Sequence, residues 1–158
     1  MLISATPGDV LRAINRAKAG QSFIGGLIQG ASVANFSHVQ FLNPAASGVT
    51  AILRRAGAAM NSVAAVVSLR RHDVALTTLS AARANKLVGG SPPACELRSQ
   101  VNASILGSQI SRMRVPVIMP FEFITHEPMI LGAGEGVLVV IETTDDECLV
   151  HFEWLEES

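Results

Sequence analysis

The sequence contains no tyrosine and one tryptophan, and aromatic residues make up only 4% of its 158 residues. Proteins that stack bases or sugar rings use aromatic side chains as platforms, so this composition argues against a ligand held by stacking. A net charge of −1 argues against a nucleic-acid-binding protein that works through a positive field. With 49% apolar and 16% charged residues, the chain is too hydrophobic to be disordered, and its length predicts a single core.

Cysteine is also scarce. Cys95 and Cys148 form neither a disulfide framework nor a C-x-x-C pair, and we expect both thiols to be reduced. The four histidines lack the paired spacing of zinc sites, and no G-x-S-x-G motif is present. The sequence therefore predicts no catalytic residue, no cofactor and no metal site. Acids at residues 142–147 could hold calcium, although an acidic turn that keeps a hairpin soluble is the commoner case.

Long apolar segments are missing as well. The first twenty residues carry four charges and no apolar core, so no secretory signal is predicted. Residues 19–53 contain no charged side chain, but polar residues, glycine and proline interrupt the stretch every few positions. We therefore predict no membrane-spanning segment and no membrane partner, and we expect a protein that is made in a cytoplasm.

Positive charge is absent from the last part of the chain, and negative charge is scarce before it. All twelve Lys and Arg lie at or before Arg114, with three acids there, whereas the rest of the chain holds ten acids and no base. Such segments either pair within the fold, when strands of both halves are interleaved, or face neighbouring subunits in a head-to-tail contact. Both alternatives stay open at this point.

The N-terminal segment has the pattern of a short amphipathic helix. Thr6-Pro7-Gly8-Asp9 is typical of a helix start, and Gly20 is a stop. One side of the helix is apolar and the other is basic. A helix this short needs a surface to dock on, from its own subunit or another.

The remainder of the chain favours short strands separated by turns. Residues 132–136 predict a tight turn, residues 137–142 a strand that is apolar on both faces, and residues 148–155 a strand with one core face. The alanine-rich residues 56–65 and 77–85 could form helical insertions. We predict an all-β fold, an antiparallel β-sandwich or jelly roll, with an N-terminal arm over residues 1–30 and the sandwich over residues 31–158.

Several stretches together resemble small β-sandwich structural proteins of tailed-bacteriophage virions. They are residues 39–45 (VQFLNPA), 47–55, 69–76, 85–90, 130–140 (ILGAGEGVLVV) and 152–154. The resemblance covers roughly residues 36–156 in order, and its motifs are strand and turn patterns. It implies a non-enzymatic virion protein, made in the bacterial cytoplasm, most often a capsid decoration or cement protein that bridges capsomers.

The resemblance also implies partners and contact surfaces. We expect a homo-oligomer, plausibly a trimer, that contacts the major capsid protein or other virion subunits. The candidate subunit-contact residues lie in the arm and in the uncharged stretch: Val10, Leu11, Arg12, Ile14, Arg16, Phe23, Ile24 and Leu27. Two alternatives remain. One is a neck, tail or fibre component that acts as an adaptor or receptor-binding module. The other is a small sugar- or metal-binding jelly-roll enzyme, which requires the acids near Glu142 and a histidine such as His151 to converge in a pocket.

Overall fold

The computed structural model describes residues 7–30, 32–60, 64–117, 120–123 and 127–158. Within these ranges the elements, in chain order, are α1 (Pro7–Lys18), β1 (Ser22–Gln29), β2 (Phe36–Leu42), β3 (Thr50–Met60), β4 (Ala65–Arg71), β5 (Thr78–Ser80), β6 (Arg83–Asn85), β7 (Glu96–Asn102), β8 (Ser108–Val115), β9 (Phe121–Glu122), β10 (Met129–Leu131), β11 (Gly136–Ile141) and β12 (Cys148–Glu157).

The strands form two antiparallel sheets that pack face to face. Sheet 1 has the order β10-β3-β12-β1-β6, with β9 paired to β3, and sheet 2 has the order β5-β7-β2-β11-β4-β8. Aromatic rings join the sheets at the centre of the core, where the Phe41 ring of sheet 2 lies 5.7 Å from that of Phe152 and 5.0 Å from that of Trp154. The predicted all-β sandwich with a short N-terminal helix is confirmed.

The last two strands lie in the interior of different sheets. β11 is buried along its whole length and pairs with β2 and β4, whereas β12 pairs with β1 and β3. The turn at residues 132–136 and the strand that is apolar on both faces follow the sequence prediction. On β12, Val150, Phe152 and Trp154 point into the core, as their alternation predicts.

The predicted helical insertions are wrong. Residues 56–60 lie in β3, residue 65 begins β4, and residues 77–85 contain the short strands β5 and β6. Ala56 and Ala58 are fully buried in β3, opposite Phe152 and Val150 of β12. Small side chains at these positions leave room for the larger neighbours, and burial in the sheet outweighs the helix propensity of alanine.

Part of the arm predicted over residues 1–30 is a strand of sheet 1. β1 pairs with β12 on one side and with β6 on the other, so residues 22–29 belong to the sandwich. Phe23 is buried in the core, and its ring stacks on Trp154 with centroids 5.8 Å apart. Because β1 is paired on both sides, residues 22–29 belong to the sheet and not to the arm.

Ion pairs connect the basic and acidic segments of the chain within the sandwich. Pairs that link the two segments are Arg16–Glu157, Arg54–Glu153, Arg55–Glu153, Lys86–Glu153, Arg70–Glu142, Arg112–Glu142 and Arg71–Glu135. They form because β11 and β12, which belong to the acidic segment, are inserted between strands of the basic segment. The interleaved alternative is therefore the one that this fold adopts.

Candidate subunit interface

The outer face of sheet 2 is covered by two loops of the chain itself. Leu138 and Val140 of β11 point outward on this face and are buried in a second apolar cluster with Leu76, and Ile105 and Leu106 pack against that cluster. The first loop, residues 72–77, supplies Leu76, and the second, residues 103–107, supplies the other two. This surface, which we call the covered face, is closed over Leu138 and Val140, while Val74 of the first loop and Leu79 of β5 stay exposed.

Buried polar side chains of β2 hold these loops in place. Gln40 donates to the carbonyl oxygens of His72 and Val74, at 2.8 and 3.0 Å, and accepts from the Leu76 N–H at 2.9 Å. The Arg70 side chain donates to the carbonyl oxygens of Leu106 and Gly107. These bonds satisfy polar groups that would otherwise be costly to bury.

His38 holds the second loop in the same way. Its Nδ1 lies 3.1 Å from the Phe36 carbonyl oxygen, and its Nε2 accepts from the Leu106 N–H at 3.2 Å. Both contacts fit a neutral ring that carries its proton on Nδ1. Burial lowers the pKa of His38, and the nearby charges of His72 and Arg70 lower it further.

On the outer face of sheet 1, large apolar side chains remain in solvent. Ile24 is 47% exposed, Ile28 62%, Leu149 46% and Ile130 68%. Strand pairing places all of them opposite to the core side, since Phe23 and Val150 point inward. We call this surface the open face and define it by these residues: Ile24, Gly26, Ile28, Arg55, Gly57, Ile130, Leu149, His151 and Glu153.

The centre of the open face is low in side-chain volume. Gly26 and Gly57 flank His151 on the two neighbouring strands. A Cβ atom on Gly57 would collide with the His151 ring and lie 2.9 Å from the Phe121 carbonyl oxygen. The ring therefore lies across Gly57, and its Nε2 is 2.9 Å from a Glu122 carboxylate oxygen. The row Gly26–His151–Gly57 therefore carries one side chain, the His151 ring, between Ile24 at one end and Ile28 with Leu149 at the other.

One end of the open face carries a basic cluster. The register of β3 and β12 shifts between Glu153 and Trp154, so that Glu153 pairs with Arg55 and Trp154 with Leu53. This irregularity leaves Arg54 as an extra residue, and both arginines reach Glu153, at 4.0 and 3.8 Å. Lys86 approaches the same carboxylate to 2.6 Å. Three cations thus share one anion at this end.

The buried carboxylate of Glu156 lies on the opposite side of β12. Glu156 accepts from the backbone N–H groups of Ala94 and Cys95, at 2.9 and 2.8 Å, and from Trp154 Nε1 at 3.0 Å. Burial raises the pKa of the Cys95 thiol, and the Glu156 charge raises it further. Cys95 is therefore an inert core residue, and Glu156 is a structural acceptor that sequence patterns did not single out.

The predicted contact residues are distributed over core, face and arm. Phe23 is buried in the core, and Leu27 packs against it. Ile24 lies on the open face. Leu11 and Arg12 are exposed on α1, and Arg16 forms an ion pair with Glu157 at 3.4 Å. The side chains of Val10 and Ile14 lie outside the described residues.

The acids and the histidine of the enzyme alternative are not brought together. Glu142 binds Arg70 and Arg112 beside sheet 2, whereas His151 lies on the outer side of sheet 1. Asp145 accepts from the Ala34 N–H at 2.8 Å. Across the described ranges, no group of three or more His, Cys, Asp or Glu side chains is arranged to hold a metal ion.

Comparisons with known proteins give no relative. No family model, no curated protein and no solved structure matches the chain. Among the residues with assigned structure, α1 is too short to cross a membrane, and no other helix is present.

Proposed function

We propose that the protein is a non-enzymatic structural subunit of a tailed-phage virion, most specifically a capsid decoration protein. The observation that carries the proposal is the difference between the two outer faces. On the covered face the chain's own loops bury Leu138 and Val140, although Val74 and Leu79 stay exposed there, while on the open face four large apolar side chains remain in solvent. Clustered exposed apolar side chains on a folded domain mark a surface that binds other proteins.

The arrangement of polar groups supports binding by surface contact rather than catalysis. Four polar side chains bind backbone groups of their own chain and so stabilise the sandwich. They are Glu156, Gln40, Arg70 and His38. The virion setting comes from the resemblance of the strand and turn segments. A subunit that reinforces a shell needs a rigid domain and contact patches, and this fold supplies both.

The arm is the second contact element of the proposal. Leu11 and Arg12 are exposed, and the Arg16–Glu157 pair links α1 to the end of β12. An exposed ion pair contributes at most about 1 kcal/mol, so exchange of this pair for a contact on a neighbouring subunit costs the fold little.

A binding experiment tests the proposal. Phage particles grown without this gene are mixed with the purified protein, with a variant that lacks residues 1–18, and with Val88→Lys, a control at an exposed loop position. We expect saturable binding of the full chain and of the control. The shortened chain should bind at least tenfold more weakly while its Trp154 fluorescence is unchanged. No binding of the full chain contradicts the virion proposal, and equal binding of the shortened chain contradicts the role of the arm.

A further inference from the structure

We propose that the open face binds the open face of a second copy of this chain, with β1 and β12 of the two copies running antiparallel across a twofold axis. The inference rests on the proposed function, since it names the partner of that surface. It depends on three features of the face: the distribution of charge, the spacing of its apolar side chains and its area.

Charge is opposite at the two ends of the face. Arg54, Arg55 and Lys86 surround Glu153 at one end, which leaves an excess of positive charge. At the other end, the turn before β12 carries Asp145 and Glu147. Glu147 precedes Glu153 by six residues. A partner that complements both ends must be acidic where this face is basic and basic where it is acidic. The same face, turned around, meets that requirement.

The apolar side chains have the spacing that such a twofold contact needs. Gly26 lies midway between Ile24 and Ile28 on β1, and it pairs with His151 of β12. An axis along the row Gly26–His151–Gly57 places Ile24 of one copy over Ile28 of the other, twice. Gly26 has no side chain, and the His151 ring covers Gly57, so the His151 rings of the two copies face each other at the axis.

The area of the face is close to what a specific dimer requires. The five strands across sheet 1 have 3, 11, 10, 8 and 3 residues, in the order β10, β3, β12, β1 and β6. At about 3.3 Å per residue and about 4.8 Å per strand, the outer side of these strands covers about 550 Å² in projection. Side-chain relief adds accessible area, which brings each copy near the roughly 800 Å² that a standard interface buries per partner.

Sedimentation velocity over a protein concentration series tests the contact. We expect a dimer for the full chain, and at least a tenfold weaker dimer for Ile24→Lys and for Arg55→Glu. Ile110→Lys is the matched control, because Ile110 is 49% exposed on the edge strand β8 and lies outside the open face. The dimer should weaken as salt rises, because charges at both ends contribute. A monomer, a trimer, or a dimer that Ile24→Lys leaves unchanged overturns the proposal.

Disulfide trapping tests the register. Ile24→Cys and Ile28→Cys are made separately in a Cys148→Ser chain and mixed under mild oxidation. We expect the mixture to form a covalent dimer and each variant alone to form little. In the proposed register position 24 of one copy lies over position 28 of the other, so the two copies of position 24 are about 13 Å apart, too far for a disulfide between identical variants. Equal cross-linking of each variant alone would reject the proposed register.

The two proposals fail in different ways. If the chain is a monomer in solution but binds particles, the twofold contact is rejected and the virion role stands. If the chain forms the expected dimer but does not bind particles, the virion role is rejected and the twofold contact stands.

Discussion

His38 Nε2 accepts a hydrogen bond from the backbone N–H of Leu106, 68 residues along the chain, at 3.2 Å. A protonated ring has no free acceptor at this atom, so the bond depends on the neutral form. The loop at residues 103–107 is therefore coupled to the protonation state of a buried side chain.

Stability is expected to fall in mild acid. Burial lowers the pKa of both His38 and His72 below the ordinary value of 6.5. The unfolded chain then binds more protons than the folded chain at pH values between the lowered pKa and 6.5, so the free energy of unfolding rises with pH in that window. The contribution of these two histidines to stability is fully present above pH 6.5 and is lost progressively as the pH falls below that value. Urea unfolding followed by Trp154 fluorescence at several pH values measures this slope.

A variant separates His38 from His72. His38→Gln should be less stable at pH 8 by about 1–3 kcal/mol, because the buried contacts are disturbed, and it should show a smaller loss in acid. An unchanged acid slope in His38→Gln would assign the effect to His72 or to other groups.

Glu156→Ala should be strongly destabilising. The substitution leaves the N–H groups of Ala94, Cys95 and Trp154 without their acceptor, and we expect a loss of about 3 kcal/mol. Glu156→Gln keeps one acceptor oxygen and should lose less. The measurement is again urea unfolding, and a loss below about 1 kcal/mol for Glu156→Ala would show that these bonds do not hold the C-terminal strand.

Glu142 and Glu135, which are acidic partners in ion pairs, should differ in how much stability is lost when each is replaced. The Glu142 side chain is 7% exposed and binds both Arg70 and Arg112, whereas the Glu135 side chain is 36% exposed in its pair with Arg71. Removal of a buried partner leaves charges uncompensated, so Glu142→Gln should cost about 2 kcal/mol or more. Glu135→Gln should cost at most about 1 kcal/mol. Similar losses for both substitutions would contradict this ranking of the pairs.

Gly57→Ala tests the close contact beneath His151. The added methyl group collides with the ring and with the Phe121 carbonyl oxygen, and we expect a loss of about 1–3 kcal/mol. His151→Ala relieves the first collision but not the second. The double variant should therefore be more stable than the sum of the two single losses indicates, and strict additivity in a thermal unfolding cycle would show that the ring does not lie over Gly57.

The fold class and the final two strands could be predicted because their signals are local. Glycines mark the turn before β11, and alternation marks the core side of β12. Ala56 and Ala58 led to a wrong helix prediction, because alanine by itself favours a helix. In the fold they lie in a sheet opposite Phe152 and Val150, and only the strand pairing shows this.

The candidate interface was harder to predict. Phe23 and Ile24 are adjacent apolar residues, and only their positions in β1 decide that the first is core and the second is surface. The uncharged stretch drew attention to Ile24, which the structure places on the open face, but equally to residues of the core. Ile130 and Leu149 come from distant segments, so no local pattern connects them to Ile24. The basic cluster depends on a register shift between β3 and β12, which the Arg54-Arg55 step alone does not indicate.

The most direct test of the central claim is the copy number of this chain in purified phage particles, measured by quantitative mass spectrometry against the major capsid protein. A capsid decoration protein is predicted to be present in hundreds of copies, because only the shell offers that many equivalent sites. About a dozen copies or fewer would contradict decoration and favour a neck, tail or fibre component. Absence from the particle would contradict the virion role itself.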